Sequence, residues 1–102
     1  MALPAIHPGE HLVEELTELN MTATELAREL GVPTNRITDI IRGRRGISAD
    51  TALRLARWFG TSPQFWLNLQ QIYDLRIAEA EHGDEINARI VPRKLPNLIT
   101  AS

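Results

Sequence analysis

The segment ATELARELGVPTNRITDIIR, residues 23–42, holds the signals that decide the fold of this chain. Its apolar residues recur three and four positions apart on both sides of Gly31, and this spacing predicts two short helices joined by a tight turn. Thr22 and Glu25 form a capping-box signature where the first helix begins. Gly31 ends that helix, because the turn needs a residue that adopts the left-handed conformation. Five apolar residues are expected to fix the angle between the helices: Leu26, Leu30, Val32, Ile37 and Ile40.

The second predicted helix, residues 34–42, has an apolar side and a polar side. Its isoleucines recur at the spacing that points them into a core, namely Ile37, Ile40 and Ile41. Asn35, Asp39 and Arg42 lie opposite them on a helical wheel. A helix pair with such a polar outer face is typical of a helix-turn-helix, which places its second helix in the major groove of DNA. The alternative is a plain helical hairpin with no role in DNA binding, and a plain hairpin would not require the adjoining arginines.

Charge is unevenly distributed along the chain, although the net charge is only −2. Residues 1–20 contain four glutamates and no lysine or arginine, whereas residues 36–45 contain four arginines and one aspartate. The distribution of charge matters more for nucleic-acid binding than its sum. The pattern therefore predicts one local basic face, with DNA binding that weakens as the salt concentration rises.

The polar face of the second helix supplies the candidate DNA contacts. The first half of such a helix reads the bases, and the residues expected to do so here are Thr34, Asn35, Thr38 and Asp39. Asn35 suits a bidentate pair with adenine, a threonine methyl suits thymine, and Asp39 can accept from cytosine N4. Asp39 has an alternative role, an ion pair with Arg36 or Arg42 that only orients the arginine. Phosphate contacts are expected from the arginines, namely Arg36, Arg42, Arg44 and Arg45.

Three further helices are predicted around this pair, at residues 8–20, 49–59 and 63–81. Pro8, Ser48 and Ser62 are residues that commonly open a helix. Pro33, which precedes the second helix of the pair, is a departure, because a proline cannot cap with its side chain. Apolar stripes on two of these helices are expected to face the core: Leu12, Val13, Leu16 and Leu19 on the first, and Leu53, Ala56 and Phe59 on the second.

The last predicted helix has two apolar stripes, which is typical of a helix that is buried on two sides. One stripe would face the domain and the other a second subunit, with the dimer interface formed by Phe65, Leu69, Ile72 and Leu75. Trp66 and Tyr73 can stack on bases, but their helical spacing favours the core or the dimer interface. Residues 1–83 would then form a DNA-binding and dimerisation domain. Residues 84–102 would form a short C-terminal extension: a strand, an extended arm or a disordered tail.

Composition and motifs argue against most other classes. The absence of cysteine excludes disulfides and thiolate metal sites and fits a cytoplasmic protein. No signal peptide is visible, and no apolar run approaches the ~20 residues that span a bilayer. No phosphate loop or nucleophile motif occurs, so neither catalytic residues nor a cofactor are expected. His7 and His11 are four residues apart, but the helix start at Pro8 separates their faces, so no metal is expected.

Two other segments carry a family resemblance. They are HPGE at residues 7–10, leading into LVEEL at residues 12–16, and TSPQFWLNLQ at residues 61–70. Together with the helix pair, they make residues 8–81 resemble the lambda-repressor-like (XRE) helix-turn-helix domains, and among these the HigA/VapI antitoxins.

This resemblance implies an all-α, five-helix DNA-binding domain that forms a homodimer and recognises a palindromic operator on double-stranded DNA. It also implies a type II toxin–antitoxin system, in which the chain represses its own operon and neutralises a HigB/RelE-like toxin that cleaves mRNA. The alternative is a stand-alone XRE-type transcriptional regulator without a toxin partner. The extension is a candidate toxin contact, since a five-helix core has no obvious place for its apolar residues, Leu95, Leu98 and Ile99.

Overall fold

The computed structural model describes residues 3–94 of the chain, and this part contains five helices. They are α1 (Pro8–Leu19), α2 (Ala23–Leu30), α3 (Thr34–Ile41), α4 (Ala49–Phe59) and α5 (Pro63–Arg89). No strand occurs within these described residues, so the predicted all-α fold class is confirmed. Helices α2 and α3 are the predicted pair, joined by a turn at residues 31–33.

Short-range signals begin α2, α4 and α5, and end α2, where the sequence predicts. Thr22 Oγ1 accepts from the Glu25 N–H at 3.1 Å, while the Glu25 carboxylate accepts from the Thr22 N–H at 2.9 Å. The predicted capping box is therefore present. Ser48 and Ser62 cap α4 and α5 through their side chains. Gly31 ends α2 at a φ of 70°, in the region that favours glycine.

Helices α1 and α3 start in ways that the sequence patterns did not predict in full. His7 Nδ1 accepts from the Gly9 N–H at 2.9 Å, and the Glu10 carboxylate accepts from the His7 N–H at 3.2 Å. This histidine capping box opens α1. Helix α3 begins at Thr34 directly after Pro33, which makes no side-chain cap. The first turn of α3 therefore depends on packing rather than on capping.

One hydrophobic core joins all five helices. Its buried members are Leu12, Leu16, Leu26, Ala27, Leu30, Ile37, Ile40, Ile47, Ala52, Leu55, Ala56 and Trp66. The prediction that Val13, Leu19 and Leu53 also face this core is wrong, because all three are exposed. Helices α1 and α4 each bury only a narrow stripe, built on Leu12 and Leu16 in α1, so the neighbouring apolar positions stay in solvent.

Helix α5 runs to Arg89 rather than to the predicted end near residue 81. Gly83 has helical backbone and does not end the helix. The predicted boundary at residue 83 thus lies inside α5. Residues 84–89 are helical, which corrects the expectation of a strand or arm there, and residues 90–94 follow without regular structure. The three apolar residues of the extension, Leu95, Leu98 and Ile99, lie outside the described residues.

Gly9 brings the first turn of α1 against the end of α3. A Cβ added to Gly9 would overlap the backbone carbonyl of Ile40 and crowd the Cα of Ile41. Backbone meets backbone at this point, so no side chain can move aside to make room. This contact sets the distance between α1 and the helix that carries the polar face.

Candidate nucleic-acid interface

The outer face of α3 carries the four predicted base-reading residues. Asn35, in the first turn, is exposed, while Thr34, Thr38 and Asp39 are half-buried. The apolar side of the same helix is closed by Ile37 and Ile40, which are fully buried. The core therefore holds α3 with its polar side outward. This is the orientation that a groove-reading helix requires.

Arg36 is held by a residue from another helix. Its Nη1 lies 2.6 Å from Oδ2 of Asp50, in the first turn of α4, and the same oxygen accepts from Arg54 Nε at 2.9 Å. Arg54 Nη1 also donates to the carbonyls of Leu30 and Gly31, at 2.8 and 3.4 Å. Asp50 and Arg54 thus tie the end of α2, the start of α3 and the start of α4 together.

Local sequence patterns reveal only part of this group. Asp50 and Arg54 stand four residues apart on one helix, a spacing at which side chains meet. The partner Arg36 is 14 residues from Asp50, so only the tertiary fold brings them together. The two arginine hydrogen bonds, first Arg54 and then Arg36, lower the pKa of Asp50 below its ordinary value of 3.8.

The lowered pKa gives a pH prediction. A carboxyl group whose pKa is lower in the folded state stabilises the fold above its unfolded pKa, and this contribution is lost as the pH falls through the folded pKa. Wild type should therefore be more stable than Asp50→Asn at pH 7, and the difference should shrink steadily below pH 3.8. Urea titrations of both proteins between pH 7 and pH 2 measure it. A difference that stays constant over that range would contradict the assignment.

Asp39 organises the turn that follows α3, residues 42–47, which is called the basic turn because it contains Arg42, Arg44 and Arg45. Its backbone carbonyl accepts from the N–H groups of Arg44 and Arg45, at 2.8 and 3.2 Å. Its carboxylate lies 3.7 Å from Arg45 Nη2. The alternative role given to Asp39, an ion pair with Arg36 or Arg42, takes a different partner here, because the chain reverses after α3 and brings Arg45 back to it. Whether Asp39 also reads a base stays a prediction.

The four arginines fall into two groups. Arg36 and Arg45 are paired with carboxylates, whereas Arg42, the C-cap residue of α3, and Arg44, in the turn beyond it, are exposed. Gly43 between them has a φ of 74°. The structure therefore places one carboxylate-paired arginine in the first turn of α3 and three arginines at and just beyond its C-terminal end. Such an arrangement can grip phosphates on both sides of a groove.

The predicted dimer residues lie along α5, away from α3. Phe65 and Leu69 are partly covered by other residues of the chain, Phe65 through edge contacts with the rings of His11 and Trp66. Ile72 and Leu75 are 50% and 57% exposed. Ile86 and Ile90, further along, are also exposed. The apolar surface of α5 thus extends past the predicted stripe.

The aromatic and histidine residues considered as base-stacking or metal-binding candidates have structural roles. Trp66 is 1% exposed and its Nε1 donates to Thr61 Oγ1 at 2.8 Å, so it cannot stack on a base. His7 caps α1, and the ring of Tyr73 lies against it. Residues 3–94 contain no cluster of three potential metal ligands. None of the described helices is long and apolar enough to cross a membrane.

A buried α2–turn–α3 unit with a polar outer face, supported by three further helices, defines a helix-turn-helix protein of the lambda-repressor-like class. The family model described as "Helix-turn-helix" matches residues 12–66. The chain is 54% identical over 80 residues to virulence-associated protein I of Dichelobacter nodosus, covering 78% of this chain and 74% of that protein. The chain belongs to the helix-turn-helix family, and its solved structural neighbours include HigA antitoxins.

Two of these neighbours show the extent of the likeness. An addiction-module antidote protein of the HigA family from Coxiella burnetii superposes with a TM-score of 0.88 at 52% identity, covering 89% of this chain and all of that one. Pseudomonas aeruginosa antitoxin HigA, solved with the higBA promoter, gives 0.85 at 49% identity, covering 87% and 98%. The predicted resemblance and the predicted five-helix fold are therefore confirmed.

Proposed function

We propose that this chain is a homodimeric antitoxin that binds a palindromic operator in its own promoter and neutralises a HigB/RelE-like, mRNA-cleaving toxin in the cytoplasm. The observation that carries the DNA-binding part is the exposed polar face of α3, flanked at both ends by arginines. The similarity to the HigA of Pseudomonas aeruginosa, which was solved with promoter DNA, supports DNA binding by this chain.

The exposed side of α5 supports the homodimer. Ile72 and Leu75 leave an apolar surface that water disfavours, and a second copy would cover it. A two-fold dimer presents two α3 helices, so its operator is pseudo-palindromic with half-sites about one helical turn, ~34 Å, apart. This dimer interface joins the partly covered Phe65 and Leu69 to the exposed pair.

The toxin partner separates the proposal from its alternative, a regulator that acts alone. Both would use the same DNA-binding face, so DNA binding does not distinguish them. An antitoxin should have a reading frame for a small basic ribonuclease beside its gene and should co-purify with that product. If the neighbouring product neither co-purifies nor changes the DNA complex, the regulator without a toxin is favoured.

The DNA-binding proposal is tested by a gel shift. The probe is a duplex from the region directly upstream of this chain's own coding sequence, and an unrelated duplex of equal length is the control. We expect the upstream probe to shift at a far lower protein concentration, and addition of the neighbouring gene product to change the complex. Equal affinity for both duplexes would overturn the proposal.

Asn35→Ala is expected to weaken operator binding by about 1–3 kcal/mol at one base position of each half-site, because the variant cannot form the bidentate hydrogen bonds to that base. The effect should disappear when that base pair is changed in the probe. Asn87→Ala, an exposed asparagine near the end of α5, is the matched control and should bind like wild type. An equal decrease on every probe variant would remove Asn35 from the base-reading set.

Arg44→Gln is expected to weaken binding to operator and unrelated DNA alike, because a phosphate contact carries no sequence information. The slope of log affinity against log salt should fall by roughly one for each phosphate group that is no longer neutralised. Arg57→Gln, at an exposed arginine of α4, should leave the slope unchanged. A selective decrease on the operator alone would instead make Arg44 a base-reading residue.

A further inference from the structure

The Gln70 side chain fastens the basic turn to α5 by a hydrogen bond. Its Oε1 accepts from the backbone N–H of Ile47 at 2.8 Å. Its Nε2 donates to Asp74 Oδ1, one turn further along α5, at 2.9 Å. The amide thus has one partner in the turn and one in its own helix.

Gln70 also lies flat against Gly46. A Cβ added to Gly46 would come within 2.8–2.9 Å of the carboxamide atoms of Gln70. Only a residue without a side chain lets the carboxamide come this close to the turn. The next residue, Ile47, is buried in the core, so the hydrogen bond is made where the turn re-enters the fold.

The two ends of the turn are therefore held differently. The α3 end is held by the carbonyl of Asp39, which accepts from Arg44 and Arg45. The far end is held by Gln70. Arg44 and Arg45, the exposed arginines that are proposed to grip phosphate, stand at the first attachment and two or three residues before the second, so both attachments bear on their backbone position.

We infer that Gln70 is a positioning residue for DNA binding, which sets the place of the basic turn and with it the phosphate contacts of Arg44 and Arg45. This inference rests on the proposed function. It also links α5, the helix of the proposed dimer interface, to the DNA-binding surface through one side chain.

The side-chain amide of Gln70 acts as both a hydrogen-bond acceptor and a hydrogen-bond donor, which suits a glutamine at this position. It must accept from Ile47 and donate to Asp74 at the same time, which an amide does and a carboxylate does not. In Gln70→Glu two carboxylates would face each other across the 2.9 Å contact. In the double variant Gln70→Glu with Asp74→Asn the donor and acceptor exchange places, and the net charge equals that of wild type.

The test measures affinity for the upstream duplex and its salt slope for Gln70→Ala and for Gln71→Ala, a matched control at the next, exposed position of α5. We expect about a tenfold decrease in affinity and a smaller salt slope for Gln70→Ala, the effect of removing one hydrogen bond from each subunit. Gln71→Ala should match wild type. Size-exclusion chromatography checks that both variants keep the wild-type oligomeric state.

Two further arms separate positioning from general weakening of the fold. In a background of Arg44→Gln with Arg45→Gln, the Gln70→Ala change should have almost no additional effect on affinity, because the arginines that Gln70 positions are absent. Gln70→Glu should bind poorly, and adding Asp74→Asn should restore most of the affinity.

The inference is overturned if Gln70→Ala and Gln71→Ala bind alike, if the decrease is undiminished in the arginine-free background, or if Asp74→Asn does not rescue Gln70→Glu. Wild type that fails to prefer the upstream duplex would instead overturn the proposed function.

Discussion

Trp66→Ala is expected to lower the free energy of unfolding by about 3–5 kcal/mol, the usual cost of removing a buried large aromatic side chain. Trp66 is 1% exposed and is the largest side chain of the core. Its ring lies 5.4 Å from that of Phe59 and 5.6 Å from that of His11, measured between centroids. It therefore joins α5 to both α4 and α1.

The substitution also leaves Thr61 without the indole N–H that donates to it at 2.8 Å. Urea denaturation followed by far-ultraviolet circular dichroism measures the decrease in stability. Trp58→Ala is the matched control, because Trp58 is half-buried and its Nε1 donates to the carboxylate of an exposed residue, Glu29, at 3.3 Å. If the two alanine variants are destabilised equally, Trp66 is not the centre of the core.

Gly9→Ala is expected to be the most damaging single-methyl addition to the chain. Its new Cβ would overlap the Ile40 carbonyl, so α1 must move away from α3. Overpacking a well-packed site typically lowers the free energy of unfolding by about 1–3 kcal/mol. We expect a decrease of about 3 kcal/mol, at the upper end of that range, because the backbone of Ile40 cannot change rotamer as a side chain can. The preference of helices for alanine over glycine, at most ~1 kcal/mol, offsets only part of this.

Gly83→Ala makes the same chemical change in open space. The nearest atom to its added Cβ is Glu79 Cβ at 3.9 Å, and Gly83 lies within α5, more than one turn from its end. This variant should gain up to ~1 kcal/mol. Thermal unfolding of both proteins tests the pair, and the expected shifts have opposite signs. Two shifts of the same sign would show that the α1–α3 contact is not the constraint.

Gly9→Ala should also affect DNA binding, at a temperature where the variant is still folded. The α1–α3 contact lies at the C-terminal end of α3, so a displacement of that end tilts α3 relative to the rest of the domain. Operator affinity should fall more than affinity for an unrelated duplex, because base contacts tolerate less displacement than phosphate contacts do.

Much of this fold was predictable because its signals are local. The capping box at Thr22, the left-handed Gly31 and the serine caps all act within four residues, and each lies where the sequence predicts. Gly83 shows where local reasoning fails. A glycine near the end of an apolar pattern predicts a helix end, but this one keeps helical backbone and α5 continues to Arg89.

The candidate site was predictable only in part, for a related reason. The outward face of α3 follows from helical periodicity. The groups that hold this face do not, because Asp50 reaches Arg36 across 14 residues and Gln70 reaches Ile47 across 23. Such contacts depend on the crossing of helices, which composition and periodicity do not encode.

The brevity of α3 has a consequence for how this protein releases DNA. The helix has eight residues and no side-chain cap, whereas isolated helices shorter than ~12–15 residues are marginal in water. Its shape is therefore maintained by the rest of the molecule. An isolated peptide of this region would therefore not bind a promoter. Unfolding of the surrounding domain would release the protein from DNA, because α3 would lose its helical shape at the same time.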